Sequence, residues 1–213
     1  MTISDTRSRA DLVRTAFILE GLTLAWVLIE ASVGIWAGVE ANSLSLLAFG
    51  ADSIIEALSA CVLLWRLNVE LNEGHSFSED AERKASRIGG ILLFALAAYV
   101  VASAAWGFWI REGQEFSALG LAITAATIPI MYVLAKRKIA IAEQIGSRAL
   151  RADAMESITC GWLSFVVVLG LLAQLAFGAW WVDSVTSLAI VYFLVKEGRE
   201  AWAGEECGCS SCS

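Results

Sequence analysis

Two carboxylates, Asp52 and Glu56, stand four residues apart inside SLSLLAFGADSIIEALSACVLLWRL, an otherwise apolar run from Ser43 to Leu67. That spacing puts both on one face of a helix. An ionised carboxylate in a bilayer costs several kcal/mol or more, so such a pair persists where it faces a water-filled cavity, a bound cation or a protonation partner. Two on one face read as a cation site; the competing reading is a pair of helix-packing or solubilising charges at the bilayer edge. A second cluster opens a later apolar run, RADAMESITCGWLS, which places Asp153, Glu156 and Cys160 at i, i+3 and i+7 and again on one face. Glu156 and Cys160, one turn apart, can complement Asp52 and Glu56 across a helix interface, and four ligands from two helices suit a tetrahedral ion.

Several other residues invite weaker readings. Cys160 could instead be a small apolar packing residue. Asp153 fits a helix cap or a cation-steering charge at the mouth of the site, and ranks below Glu156 as a ligand. Glu30 lies well inside the first apolar run, where it could line the cavity or accept a neighbour's hydrogen bond, while Glu20 and Asp183 read as interfacial. None of these three is expected to be a direct ligand. His75, the one histidine, sits in a polar acidic stretch and reads as exposed, although a neutral imidazole can bind metal.

Acids this far inside apolar runs need a scaffold that crosses a membrane, and the composition supplies one. The chain is 58% hydrophobic, 17% charged and has a mean hydropathy of +0.67 with a single proline, more apolar than a soluble domain of 213 residues requires. Six segments approach the roughly 20 apolar residues of a spanning helix. They run from Leu12 to Val39, Ser43 to Leu67, Ala85 to Ile110, Phe116 to Ala135, Ala152 to Gly178 and Trp181 to Lys196. The expected fold is therefore an all-α integral membrane protein of six transmembrane helices.

Lys and Arg set its orientation, because positive residues near span ends stay in the cytoplasm. All of them except Arg111 fall on one side if residues 1–11 and 200–213 are both cytoplasmic tails around a transport domain of residues 12–199. The first segment is too long for a signal-peptide core and should remain as a signal anchor. Trp106, Trp109, Trp180 and Trp181 fall near the opposite ends, where indoles prefer the headgroup layer. Gly34 and Gly38 offer a face for close helix packing, and Pro129 a site for a kink.

The same features exclude other classes. A net charge of -7 argues against a nucleic-acid partner. No nucleophile–base pair or cofactor motif stands beside the acids, so an enzyme is not expected, and no segment resembles a channel filter. Cys61 and Cys160 lie in apolar helices while Cys207, Cys209 and Cys212 crowd the end of the chain, a pattern that fits a reducing side better than a disulfide framework. Those three tail thiols could capture soft metal ions, or be incidental to a disordered or lipidated end.

In order and spacing the chain resembles the cation diffusion facilitators, a family of divalent metal/proton antiporters. The resemblance rests on LLAFGADSIIEALS in the second segment, Arg151-Ala152-Asp153 opening the fifth and Trp181-Val182-Asp183 opening the sixth, and covers residues 12 to 202. It implies a transport site of Asp52, Glu56, Glu156 and Cys160, with protons and a divalent ion as partners. Members usually carry His or Asp and then Asp where Glu156 and Cys160 stand here, and commonly have a cytoplasmic domain that helps them dimerise, so a homodimer is left open. Three carboxylates alone would suit harder ions, whereas a thiolate moves preference toward Zn(II), with Cd(II), Co(II), Fe(II) and Mn(II) as alternatives. The function implied is metal efflux by proton antiport at a cell (inner) membrane, without a permanently bound cofactor. The competing expectation is a non-transporting metal sensor or partner subunit of the same fold.

Overall fold

The computed structural model describes residues 9–73, 79–110 and 115–203. Those residues form six helices: α1 (Arg9–Glu40), α2 (Leu44–Glu73), α3 (Glu79–Ile110), α4 (Ala118–Ile145), α5 (Arg148–Phe177) and α6 (Val182–Ala203). Five contain stretches long and apolar enough to cross a membrane: Asp11–Glu40, Leu44–Val69, Gly90–Trp109, Ala118–Ile145 and Ala149–Phe177. The chain is thus a multi-pass membrane protein. The sixth expected span, on α6, falls short of that measure because charges crowd both ends of the helix, Asp183 at one and Lys196, Glu197, Arg199 and Glu200 at the other.

The helices overrun the expected apolar segments. Residues 68–73 continue α2 and α3 begins at Glu79, so helix extends from both sides into the polar stretch between the second and third expected segments. The fourth segment was expected to end at Ala135, yet α4 continues to Ile145 and passes Pro129 without a break. The charged KRK turn at residues 136–138 therefore lies inside α4, where Lys138 is buried against acids of two other helices. His75 and Arg111 lie outside the described residues, as do Cys207, Cys209 and Cys212.

Helix pairs form the architecture: α1 along α2, α4 along α5 and α3 along α6, with α1 also against α4 and α2 touching α3, α5 and α6. Backbone contact sets the first pair. A Cβ on Gly50 would lie 2.7 Å from the Ile35 amide nitrogen, and one on Gly38 2.8 Å from that of Leu47. Only glycine lets the helices approach so closely, which fixes the height of α1 against α2. The α4–α5 hairpin is equally defined. Gly146 in the left-handed region (φ 66) ends α4, and the hydroxyl of the adjoining Ser147 accepts from Leu150 N at 3.3 Å to start α5.

Asp183, expected to be interfacial, is instead a buried cap supplied from another helix. Its carboxylate accepts from Ser43 Oγ (2.8 Å), Leu44 N (2.6 Å), Ser45 N (3.2 Å) and Ser45 Oγ (2.6 Å), satisfying the first amides of α2. The start of α2 is thereby tied to the start of α6. Trp106, Trp109, Trp180 and Trp181 are exposed.

Candidate metal centre

Where α1, α2 and α5 meet, Glu30, Glu56 and Cys160 each place a ligand atom within 4.8 Å of the others. All three side chains are buried, Glu30 fully so. The Gly-mediated contact between α1 and α2 sets Glu30 beside the acidic face of α2. The Ser147 cap and the hairpin before it set the height of α5 and hence of Cys160.

The carboxylates are held by hydroxyls and, for Glu30, by the Cys160 thiol as well. Glu30 Oε1 accepts from Thr127 Oγ1 of α4 at 2.7 Å, and its Oε2 accepts from Ser53 Oγ at 3.4 Å and from the Cys160 thiol at 3.7 Å. Glu56 Oε1 accepts from Ser157 Oγ at 3.5 Å, while Glu56 Oε2 is buried and receives no hydrogen bond. Among the described residues neither acid has a Lys or Arg partner. Two buried acids without a counter-ion inside a membrane must carry protons or face a cation.

The other two expected ligands lie outside this group. Asp52 is buried one turn along the same face of α2, and Glu156 accepts from Ser59 Oγ at 3.1 Å. Both remain within electrostatic reach: Asp52 and Glu156 act on each other and on Glu56, and all three act on Glu197 of α6. Glu197 is an acid on a third helix within that reach that no motif in the sequence marked.

Asp153 belongs to a different arrangement. Lys138, fully buried, pairs with both Asp153 and Glu20, the latter at 2.8 Å, joining α4 to α5 and α1. Glu20 is held by charge alone, since neither of its oxygens accepts a well-aligned hydrogen bond. Sequence reasoning placed Lys138 among cytoplasmic flanking charges and missed this triad. The one available signal was the i, i+4 spacing of Lys138 from Leu134 and Ala142, which puts it on the apolar stripe of α4. The contrast between the two acidic groups is chemical: Glu20 and Asp153 carry their own cation, and among the described residues Glu30 and Glu56 do not.

The structure thus defines a multi-pass membrane protein whose helices bring two buried acids and a thiol together, with no Lys or Arg paired to them among the described residues. The family model described as the cation efflux transmembrane domain matches residues 22–202, so the chain belongs to the cation efflux family, the cation diffusion facilitators that the sequence resembles. Members move cations across membranes and are not enzymes. Among curated proteins the chain is similar to "Transmembrane protein 163" of Xenopus laevis, 23% identical over 186 residues, which are 87% of this chain and 65% of that protein. It is also similar to an "uncharacterized transporter" of a Synechocystis strain, 26% identical over 174 residues, 79% of this chain and 56% of that protein. The chain thus spans less than two thirds of either relative's length.

Proposed function

We propose that this chain exports a divalent transition-metal ion, Zn(II) first, in exchange for protons, with six crossing helices and both tails in the cytoplasm. Glu56 of α2 and Cys160 of α5 hold the ion, and Asp52 and Glu156 complete the lining through which it reaches and leaves them. Family membership and the relative named a transporter support transport as such. The observation that carries the ion site is the burial of Glu56 and Cys160 within 4.8 Å of each other, with no Lys or Arg paired to them among the described residues.

The exchange follows from ligand chemistry. A carboxylic acid or thiol must lose its proton before it binds metal, so one set of side chains carries protons in one direction and metal in the other. The thiolate favours borderline-soft ions over Mg(II) or Ca(II), and mixed oxygen and sulfur donors fit Zn(II), Cd(II) and Co(II). Cys207, Cys209 and Cys212 offer soft donors on the side from which metal would be collected, a capture role that deletion of residues 207–213 tests at low metal concentration.

The deciding experiment loads the purified chain into liposomes and follows Zn(II) and pH together in wild type and in Glu56→Gln, Asp52→Asn, Glu156→Gln and Cys160→Ser. Each carboxamide variant should lose metal-driven proton movement, and Cys160→Ser should change which metal is preferred. Unaltered transport in the three carboxamide variants removes the site assignment, and metal binding without flux in wild type supports a sensor instead.

A further inference from the structure

Glu30 is the buried acid that the two-helix arrangement of α2 and α5 leaves unexplained. Ten residues earlier on the same helix, Glu20 is equally buried, but Lys138 neutralises it. Glu30 has no such partner among the described residues, and its carboxylate shares the 4.8 Å triangle with Glu56 and Cys160. On α2, Glu56 Oε2 is buried and receives no hydrogen bond. A buried oxygen with nothing to accept from is a cost that a bound cation removes.

The longer hydrogen bonds around the triangle can be given up. Ser53 at 3.4 Å and Ser157 at 3.5 Å hold the two carboxylates loosely, and each hydroxyl also lies within bonding distance of the carbonyl one turn back in its own helix, Phe49 O at 3.1 Å and Asp153 O at 3.2 Å. Thr127 Oγ1, at 2.7 Å from Glu30 Oε1, makes the short bond of the set. A hydroxyl has one proton to donate. When a cation draws on a carboxylate, the hydroxyl can turn to its own helix and no donor is stranded. Asp183, by contrast, is fixed by two backbone amides at the start of α2 as well as by two hydroxyls.

We infer that Glu30 is a direct ligand of the transported ion, so that the centre takes one donor each from α1, α2 and α5, two carboxylates and one thiolate. This rests on the proposal that Glu56 and Cys160 form the cargo site. Thr127 of α4 is the positioning residue, since its 2.7 Å bond aims Glu30 at the triangle. Such a donor set selects a small divalent ion of intermediate softness that accepts low coordination. It rejects Mg(II), which demands octahedral oxygen, and Ca(II), which wants six or more oxygens.

The test reads donor identity as well as affinity. In the full chain with Cys61, Cys207, Cys209 and Cys212 replaced by Ser, Cys160 is the one thiol left, and Cd(II) binding is followed by its thiolate-to-metal ultraviolet band and by calorimetry. Glu30→Cys should roughly double the band per bound ion, because the replacement adds a second thiolate to the same Cd(II). Glu30→Gln should weaken Cd(II) binding by about 100-fold or more, and Thr127→Val by about 10-fold, the lower end of the 10–100-fold range for loss of a ligand's supporting partner. A Glu30→Cys band at the parent intensity overturns the third ligand, even if Glu30→Gln fails to fold. A parent chain with no thiolate band at all brings down the cargo site itself, a result distinct from the first.

Discussion

Replacing Lys138 with Met removes a fully buried cation that balances two acids, and its cost can be worked from the geometry. Nζ lies 2.8 Å from Glu20 and against Asp153, with all three side chains 0–5% exposed. Removing one partner of a buried ion pair costs about 3–5 kcal/mol, because the charge left behind has no compensation. Lys138 serves two acids, so the loss should lie in the upper part of that range. For a chain of this size each kcal/mol is worth about 2–4 °C in Tm, giving a fall of roughly 8–20 °C in detergent-solubilised protein.

The charges, not the contacts, should carry this effect. A triple variant, Lys138→Met with Glu20→Gln and Asp153→Asn, keeps the volumes and removes every charge at once. Buried ion clusters replaced together by neutral groups are often tolerated at little cost, so the triple variant should melt within a few degrees of wild type. The assay is thermal unfolding followed by circular dichroism, with monodispersity as a check. A Lys138→Met chain as stable as wild type refutes the reasoning, as does a triple variant that melts as low as the single one.

Four further outcomes follow from the same structure. Asp183→Ala, which strips four hydrogen bonds from the start of α2, should cost about 2 kcal/mol or more and lower Tm by several degrees, since charge-assisted bonds of this kind are worth about 1.5–3 kcal/mol each before relaxation. Gly50→Ala should force α1 from α2, because the new Cβ would sit 2.7 Å from the Ile35 amide; overpacking of this kind costs about 1–3 kcal/mol, and a Tm equal to wild type would show the helices are not in backbone contact. At fixed Zn(II), apparent binding should weaken as pH falls, because protons compete for the same ligands; calorimetry in buffers of different ionisation enthalpy should then register proton release, and a pH-independent Kd contradicts that competition. Removing residues 207–213 should raise the Zn(II) concentration needed for half-maximal transport without changing the maximal rate, and an unchanged concentration dependence removes the capture role.

The sequence carried the helix count and the polar faces clearly, because long apolar runs and i, i+4 acids are periodic signals that need no tertiary knowledge. Asp52, Glu56, Glu156 and Cys160 were all placed on the correct helices by that logic. It could not say which of them would converge, since convergence depends on rotation and height that the Gly34, Gly38 and Gly50 contacts set between α1 and α2. Glu30 was therefore legible as an intramembrane acid but not as a neighbour of Cys160. The burial of Lys138 was missed for a related reason: counting positive charges carries no information on pairing, and only the arrival of Glu20 and Asp153 from two other helices makes its burial affordable. Asp183 shows the same limit, since a cap supplied from 140 residues away leaves no local pattern.

The most direct test of the account is a simultaneous record of ion and proton movement in liposomes that hold only this chain. With Zn(II) added on one side, metal and protons should cross in opposite directions, at rates that saturate together and that an imposed pH gradient can drive in reverse. Zn(II) flux that proceeds without any counter-movement of protons, or the absence of flux from a chain that binds Zn(II), would contradict it.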